Sequence, residues 1–293
     1  MATIAFFEIE EWEKDFLTKE LTGSEVLFTT ELLEPGREID PKLFQADILS
    51  TFAYSQVTRE MLGKFPNLKY ITTRSTGYDH IDLEYCKEKN IQVSNVPHYG
   101  VHTIAEHTFA LLLALSRKIV PSVERTRKGD FSLTGLNGMQ LFGKTLGVIG
   151  TGNIGSVVCD IALGLGMKVI AYNHHVDEEL AKKGVQFVVL AELLQTADVV
   201  TIHIPLLKET EHLINKENIL TMKKGSILIN AARGGIVETE AILDALEKGI
   251  LAGAGLDVLE EECNLREERE LLSEEFHKTC DLKTQLMDHM LLN

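Results

Sequence analysis

Residues 146–175, LGVIGTGNIGSVVCDIALGLGMKVIAYNHH, form the most informative stretch of this sequence. An apolar run leads into Gly150, Gly152 and Gly155, and a helical segment and a second apolar run follow. In this G-x-G-x-x-G spacing the first glycine permits a tight turn, the second lets a pyrophosphate approach the backbone, and the third lets the helix pack against the sheet. Unpaired N–H groups at the helix N-terminus then face the phosphates. The stretch predicts a dinucleotide-binding βαβ unit rather than a ligand-free glycine turn.

Asn173 ends the second strand of this unit, where an acidic residue usually holds the adenosine ribose. Asparagine can hydrogen-bond a hydroxyl but carries no charge, so it neither anchors NAD strongly nor repels the 2′-phosphate of NADP. His174 and His175 follow; they either contact a phosphate or lie in an exposed loop. No arginine follows, and arginine is the usual partner of that phosphate. We therefore expect NAD, with NADP not excluded.

Outside this unit, short β-rich runs alternate with helical stretches along the whole chain. Continuous apolar strands separated by helices are typical of parallel sheets covered on both faces. We predict an α/β fold with two domains, at residues 1–98 and 99–293, the second a doubly wound sheet of the Rossmann type. One long helical pattern runs from Thr103 to about Lys128 after the domain boundary.

Composition excludes several functions. The chain has 293 residues, with 29 Lys and Arg against 44 Asp and Glu, and its net charge of −15 disfavours nucleic acid. The N-terminus lacks a basic segment typical of signal peptides, and no apolar run approaches the ~18–20 residues that span a bilayer. Four scattered cysteines match no metal or redox spacing, so we expect reduced thiols, no metal site and a cytoplasmic protein.

Two later stretches carry the candidate chemistry. Arg233 lies in ILINAARGGIVE, just after an apolar strand, and Asp257 precedes a run of three glutamates in AGAGLDVLEEE. The carboxyl ends of parallel strands share one edge of a sheet, where ligands bind in doubly wound folds. An arginine at that edge needs an anion or carbonyl groups as partners, although a salt bridge to a nearby glutamate would satisfy it equally.

The sequence resembles the D-isomer-specific 2-hydroxyacid dehydrogenases, and most of all the D-lactate dehydrogenase branch. The resemblance covers residues 46–262 and rests on six motifs in the family's order: RSTGYDHIDL, NVPHYGVHTIAEHTFALLLALSR, LGVIGTGNIG, DVVTIHIPLLKET, INAARGGIVE and AGLDVLEEE. It implies a flavodoxin-like first domain that binds substrate, an NAD-binding second domain, and a homodimer through the helix at residues 103–115. That helix could equally be an internal core element.

The resemblance also implies residue roles. Arg233 would hold the carboxylate and carbonyl oxygen of the substrate, and Glu262, five residues after Asp257, would tune a catalytic histidine. Glu260 and Glu261 would then be solvated bystanders. Ser75, Thr76, Gly77 and Tyr99 would contact the substrate, although Tyr99 could equally be a buried hinge residue; His102 and His107 are expected to pack or cap. The cofactor would contact Asn153, Ile154, Ile204, Pro205, Thr210, Ala231, Ala232 and Asp257, besides the three glycines and Asn173.

The implied reaction is hydride transfer between a nicotinamide and a small D-2-hydroxy acid or 2-oxo acid such as lactate or pyruvate. The family's proton donor is a histidine in a Pro-His pair after one more strand, and no such pair follows Glu262. His277 and His289 are the only histidines in that segment, and both have polar surroundings. We expect a C-terminally truncated chain, with the last strand and return helix missing and doubtful activity. The alternative is a non-catalytic NAD(H)-binding module or sensor on the same fold.

Overall fold

A computed structural model describes residues 1–260. The chain divides into two compact units between Gly100 and Val101, two residues beyond the boundary expected from the sequence. The sequence-based expectation of a missing last strand and return helix concerns the chain after Glu260, outside the described residues. Each unit is built on its own parallel sheet, which confirms the predicted α/β fold class.

The first unit contains a five-stranded parallel sheet in the order β2-β1-β3-β4-β5. This is the flavodoxin-like strand order that the family resemblance implied. The strands are β1 (Thr3–Phe6), β2 (Glu25–Phe28), β3 (Ile48–Thr51), β4 (Tyr70–Thr73) and β5 (Gln92–Ser94). The helices are α1 (Glu11–Glu20), α2 (Arg59–Leu62) and α3 (Leu83–Lys89), with a 3-10 turn at Leu43–Gln45. Leu49 and Ile71 of the central strands are fully buried in the core beneath α2 and α3.

The second unit contains a six-stranded parallel sheet in the order β11-β10-β9-β6-β7-β8. If β6 to β11 are numbered 1 to 6, the order read from the β8 edge is 3-2-1-4-5-6. This is the strand order of a dinucleotide-binding domain. The strands are β6 (Thr145–Ile149), β7 (Lys168–Tyr172), β8 (Gln186–Phe187), β9 (Val199–Ile202), β10 (Ser226–Asn230) and β11 (Leu251–Leu256). The helices are α4 (Val101–Ser116), α5 (Ile119–Arg127), α6 (Asn153–Gly164), α7 (Glu178–Lys182), α8 (Leu190–Thr196) and α9 (Thr239–Glu247), with 3-10 turns at Ile219–Thr221 and Gly234–Ile236.

The strands of this second sheet are apolar on both faces, as their continuous hydrophobic sequences predict. Val199 packs in one core with α4 and α6, whereas its neighbour Val200 packs in the opposite core with α8 and α9. Successive side chains of a strand point to opposite faces, so helices must cover both sides of the sheet. Strand order reverses between β6 and β9, which places the ligand crevice of the fold at the carboxyl ends of those two strands.

The helical pattern at residues 103–128 forms two helices, not one. Lys118 adopts a left-handed conformation with φ of 54° and separates α4 from α5. Helix α4 buries Ala105, Phe109 and Leu112 against α6 and the sheet, so one face of it is an internal core element. No helix within residues 1–260 is both long and apolar enough to cross a bilayer.

Candidate cofactor and substrate site

The glycine turn connects β6 to α6 beside the loop that follows β9. Gly150 has φ of +91°, and an added Cβ would lie 2.4 Å from Ile204 Cγ2 and 2.6 Å from the His203 main-chain oxygen. An added Cβ at Gly155 would lie 1.9 Å from the main-chain oxygen of Gly150. Both positions therefore require glycine, because the turn, the new helix and the β9 loop are in direct backbone contact.

Gly152 differs from the other two glycines because it faces open space. An added Cβ there would meet no atom within 4 Å. The backbone of Gly152 is also in an extended conformation that any residue can adopt, so the fold itself does not require glycine at this position. Gly152 is also the N-cap of α6 and supplies no side-chain oxygen to the first N–H groups of the helix. Such a helix end attracts anions. The open cradle at Gly152 and this helix N-terminus fit a dinucleotide pyrophosphate.

Asn173 lies directly after β7 and is exposed, and its side chain is hydrogen-bonded to Thr151 in the glycine turn. This contact brings the candidate ribose residue next to the candidate phosphate cradle. His174 and His175 are also exposed, in the loop that begins at Asn173. The bond to Thr151 uses the amide nitrogen, so the amide oxygen can accept a hydrogen bond from a ribose hydroxyl.

The loop after β9 carries Ile204, Pro205 and Thr210. The Thr210 hydroxyl donates to the Pro205 main-chain oxygen at 2.7 Å and accepts from the Leu207 N–H at 2.7 Å, which closes the loop on itself. His203 precedes these residues, and its Nε2 lies 2.9 Å from Thr201 Oγ1. Burial lowers the pKa of His203 to about 4, so its imidazole is neutral at physiological pH.

Arg233 lies in a tight turn after β10, together with Ala231 and Ala232. Asn230, the last residue of β10, is 1% exposed. Its amide donates to the Arg233 main-chain oxygen at 2.9 Å and accepts from the Ala232 N–H at 3.1 Å. The Arg233 guanidinium donates to the Ala232 main-chain oxygen at 2.7 Å. Asn230 therefore fixes the backbone that presents Arg233, and sequence reasoning missed it because an amide at a strand end has no distinctive pattern.

Asp257 follows β11 at the same edge of the sheet. Its N–H donates to the Asn230 main-chain oxygen at 3.0 Å, which ties it to the strand that carries Arg233. Its carboxylate lies 3.2 Å from Nε2 of His107 on α4, and both side chains are about half exposed. His107 thus has a specific acidic partner, in place of the packing or capping role expected from sequence; His102 is exposed.

Of the three glutamates after Leu259, the structure describes one. Glu262 and Glu261 lie outside the described residues. Glu260 is partly buried and hydrogen-bonds with His212 and with the Thr239 N–H. It is therefore not the solvated bystander that the sequence suggested. Spacing along the chain could not reveal this, because only the fold brings α9 and the β9 loop to Glu260.

The first unit places Ser75, Thr76 and Gly77 directly after β4. The Ser75 hydroxyl is buried, lies 2.6 Å from Thr73 Oγ1 and donates to the Gly77 main-chain oxygen at 2.7 Å. Thr76 is tied to the chain after β5, because its hydroxyl donates to the Val96 oxygen at 3.0 Å. Tyr99 is 62% exposed at the end of this unit, so within its own unit it is not a buried residue.

Glu8 organises a second loop of the first unit and was not singled out by sequence. It has φ of 54°, and its carboxylate accepts hydrogen bonds from the N–H groups of Phe52 and Tyr54 and from the Ser55 hydroxyl, at 2.6–2.8 Å. Arg74, before the Ser75 turn, donates to the main-chain oxygens of Phe7 and Glu8 at 3.0 and 2.8 Å. The loops after β1, β3 and β4 are therefore joined at one sheet edge.

Comparison with known proteins bears on both units. A family profile described as the NAD-binding domain of D-isomer-specific 2-hydroxyacid dehydrogenases matches residues 109–279. A 2-hydroxyacid dehydrogenase homologue of Zymomonas mobilis is 38% identical over 265 residues, which cover 88% of this chain and 80% of that protein. A glyoxylate reductase of Thermococcus litoralis is 39% identical over 245 residues, 81% of this chain and 72% of that protein.

The fold comparison gives the same result. The crystal structure of a D-lactate dehydrogenase from Aquifex aeolicus, complexed with NAD and lactic acid, superposes with a TM-score of 0.87. The two sequences are 37% identical, and the match covers 97% of this chain and 84% of that one. These similarities confirm the resemblance inferred from the six motifs and the expectation of an oxidoreductase: the chain belongs to the D-isomer-specific 2-hydroxyacid dehydrogenases, a family of NAD-dependent enzymes.

Proposed function

We propose that this protein transfers a hydride between NAD(H) and a small D-2-hydroxy acid or 2-oxo acid, with lactate and pyruvate as the reference pair. The observation that carries the proposal is the clustering at one sheet edge. The glycine turn lies at the strand-order reversal, and the Arg233 turn follows the strand paired with β9. An anion cradle and a fixed guanidinium at that edge suit a cofactor and a carboxylate substrate.

The cofactor contacts in this proposal come from five loops of the second unit. The turn glycines, Asn153 and Ile154 bind the pyrophosphate, and Asn173 binds the ribose. Ile204, Pro205, Thr210, Ala231, Ala232 and Asp257 border the rest of the cofactor. The bound nicotinamide supplies or accepts the hydride. Asn173 lacks a charge, so NAD is preferred over NADP only weakly.

Arg233 binds the substrate carboxylate and polarises the carbonyl oxygen by charge-assisted hydrogen bonds. In the first unit, the backbone N–H groups of Ser75, Thr76 and Gly77 and the Tyr99 side chain are the groups that the family's motifs assign to substrate binding. Glu262 would tune the proton-donating histidine that the family carries in a Pro-His pair, and no such pair follows Glu262 in this sequence. These roles follow from the family's motifs. The hydrogen bonds of the buried Asn230 amide to the Arg233 and Ala232 main chain support the role of Arg233, because they fix its backbone.

The proposal extends to a cytoplasmic homodimer. The thiols of Cys86 and Cys159 are buried and free, and burial raises their pKa values to about 11 and about 12, which suits unreactive thiols in a reducing compartment. Helix α5 leaves Ile119, Val120 and Val123 about half exposed, and Leu113 of α4 is 42% exposed. This apolar surface suits a second copy, and light scattering of the purified protein would measure the mass directly.

The proposed function is tested by NADH titration followed by a panel of 2-oxo acids. We expect fluorescence enhancement of bound NADH and little reduction of pyruvate by the sequence without a Pro-His pair. With a C-terminal segment carrying the family's Pro-His pair added, we expect reduction of pyruvate in preference to bulkier acids, and a product of the D configuration. NADH binding without reduction of any acid in the panel, even after that C-terminal segment is added, would instead favour a cofactor-binding module or sensor. Absence of NADH binding would contradict both functions.

A further inference from the structure

The turn that carries Arg233 is in direct backbone contact with the chain that follows β11. An added Cβ at Gly234 would lie 2.0 Å from the carbonyl carbon of Leu259 and 2.3 Å from the nitrogen of Glu260. Side chains do not tolerate such distances, so residue 234 must be glycine for the two segments to meet. Displacement of the Leu259–Glu260 peptide would therefore displace the turn next to Arg233.

Glu260 binds the first turn of α9 through one carboxylate oxygen. Its Oε2 accepts a 3.0 Å hydrogen bond from the N–H of Thr239, the first residue of that helix. The N-cap of α9 is Glu238, whose side chain makes no capping hydrogen bond. Glu260 thus satisfies a helix N-terminal donor from a distant part of the chain, and its negative charge suits that end of the helix dipole.

The other carboxylate oxygen of Glu260 pairs with His212 Nε2 in the loop after β9. His212 adopts a left-handed conformation with φ of 48°, and its N–H donates to the Gly235 main-chain oxygen at 2.9 Å. His212 therefore holds the Arg233 turn by its backbone and Glu260 by its side chain. The contacts close a ring that runs from Gly234 through Gly235, His212 and Glu260 to Leu259.

The charges in this ring reinforce one another. The hydrogen bond to Glu260 raises the pKa of His212 above its usual value, and the nearby carboxylates of Glu260, Glu238 and Glu211 act in the same direction. Burial opposes ionisation of Glu260, but hydrogen bonds from the Thr239 N–H and His212 lower its pKa overall. The protonated histidine and ionised glutamate are therefore the favoured pair.

We propose that Glu260 and His212 are positioning residues that hold the chain after β11 against the Gly234 turn and thereby fix Arg233 for a carboxylate ligand. The inference rests on the proposed function only for the ligand of Arg233. A solvent-exposed ion pair with no other contacts would contribute little to the stability of this region. Here, however, both carboxylate oxygens of Glu260 are engaged. His212 is hydrogen-bonded to Gly235 of the turn, and Thr239 begins the helix that follows the turn.

A first experiment measures the pairing itself. NMR titration of the imidazole Cε1–H signals should give His212 a pKa above the ordinary value of about 6.5. The Glu260→Gln variant should lower that pKa, and the amide of Thr239 should exchange faster with solvent. The matched variant Glu238→Gln should change the pKa of His212 less. An unchanged pKa in Glu260→Gln would overturn the proposal, whatever the enzyme does.

A second experiment measures the consequence for Arg233 with oxamate, an unreactive analogue of a 2-oxo acid. We expect Glu260→Gln to weaken oxamate binding to the NADH complex roughly tenfold, since small displacements of a binding group are costly. The dissociation constant of NADH should change less than that of oxamate, because the hydrogen bonds of Glu260 lead to His212 and Thr239 and not to the glycine turn. His212→Asn, which tolerates the left-handed backbone but is too short to reach Glu260, should act in the same direction.

Asp244→Asn is the matched control, because Asp244 pairs with Lys248 on the exposed side of the same helix α9 at 2.7 Å. It should leave oxamate affinity unchanged. Wild-type oxamate affinity should also fall as the pH rises through the pKa of His212, and Glu260→Gln should lack that step. Equal oxamate affinity in wild type and Glu260→Gln would overturn the positioning role alone. Failure of the wild type to bind oxamate while it binds NADH would overturn the proposed ligand of Arg233 as well.

Discussion

The side-chain amide of Asn173 donates a 2.8 Å hydrogen bond to Thr151 Oγ1, which joins the end of β7 to the glycine turn. The candidate ribose residue is therefore anchored to the candidate phosphate cradle, with Thr151 itself buried. A carboxylate at position 173 could accept a hydrogen bond from the same hydroxyl, so the geometry of the turn does not depend on the amide. A substitution at position 173 should therefore change the charge next to the cofactor ribose more than it changes the fold.

We predict that Asn173→Asp increases the preference for NADH over NADPH by at least about tenfold, because a carboxylate repels the 2′-phosphate. Dissociation constants for both cofactors, measured by fluorescence, would check this. Asp177→Asn, which alters the N-cap of α7 beyond the exposed histidines, is a control for charge changes in the same loop. An unchanged preference would place residue 173 away from the ribose.

Two of the turn glycines, Gly152 and Gly155, should respond differently to alanine. Gly152→Ala should fold normally, since its Cβ meets open space, yet bind NADH much more weakly because that space receives the pyrophosphate. Gly155→Ala should unfold at lower denaturant, because its Cβ collides with the Gly150 main-chain oxygen. Gly164→Ala at the end of α6 is the control and should gain up to about 1 kcal/mol of stability. Normal NADH affinity in a folded Gly152→Ala variant would contradict the cofactor placement.

Asn230→Ala should cost stability and substrate affinity together. It leaves the Ala232 N–H and the Arg233 oxygen without their buried partner, a loss of about 1–3 kcal/mol. Oxamate binding should weaken more than NADH binding, because Arg233 depends on this turn whereas the pyrophosphate binds at the glycine turn. Asn218→Ala is the comparison, because that side chain also bridges two main-chain groups of the same unit, at Leu213 and Asn215. If both variants lose stability but neither loses oxamate affinity, Asn230 has only a structural role.

The stability of the second unit should fall as the pH drops from about 6.5 toward 4. Burial lowers the pKa of His203 to about 4, so between these values the unfolded chain binds a proton that the folded chain does not. At 1.36 kcal/mol for each unit of pKa, the contribution of this residue is at most about 3 kcal/mol. Urea unfolding at pH 7.5 and 5 should show a smaller pH effect in His203→Gln; parallel losses in both proteins would disprove the assignment.

The strands and the glycine turn could be predicted from sequence because their signals are local. Continuous apolar runs, and three glycines at fixed spacing, predicted the doubly wound parallel sheet of the second unit and the turn after β6. The division of one long helical pattern at Lys118 was missed, although Pro121 in the first turn of α5 is a signal that a new helix begins there.

The supporting residues could not be predicted in the same way, because long-range contacts define them. Glu260 is one of three consecutive glutamates, and only the position of α9 distinguishes it. Glu8 forms hydrogen bonds with residues 52–55 in the loop after the neighbouring strand β3. Asn230 forms hydrogen bonds within a turn whose conformation the sequence pattern does not indicate. The roles of these three residues could be recognised only from the positions of their hydrogen-bond partners in the folded chain.

The most direct test of the account is oxamate binding to the NADH complex of Arg233→Gln. Removal of one charged hydrogen-bonding group that contacts a carboxylate should weaken oxamate binding about 10–100-fold, while the dissociation constant of NADH stays nearly constant. That result would support Arg233 as the carboxylate-binding residue of a 2-hydroxyacid dehydrogenase site. Oxamate affinity equal to that of the wild type would contradict the central claim.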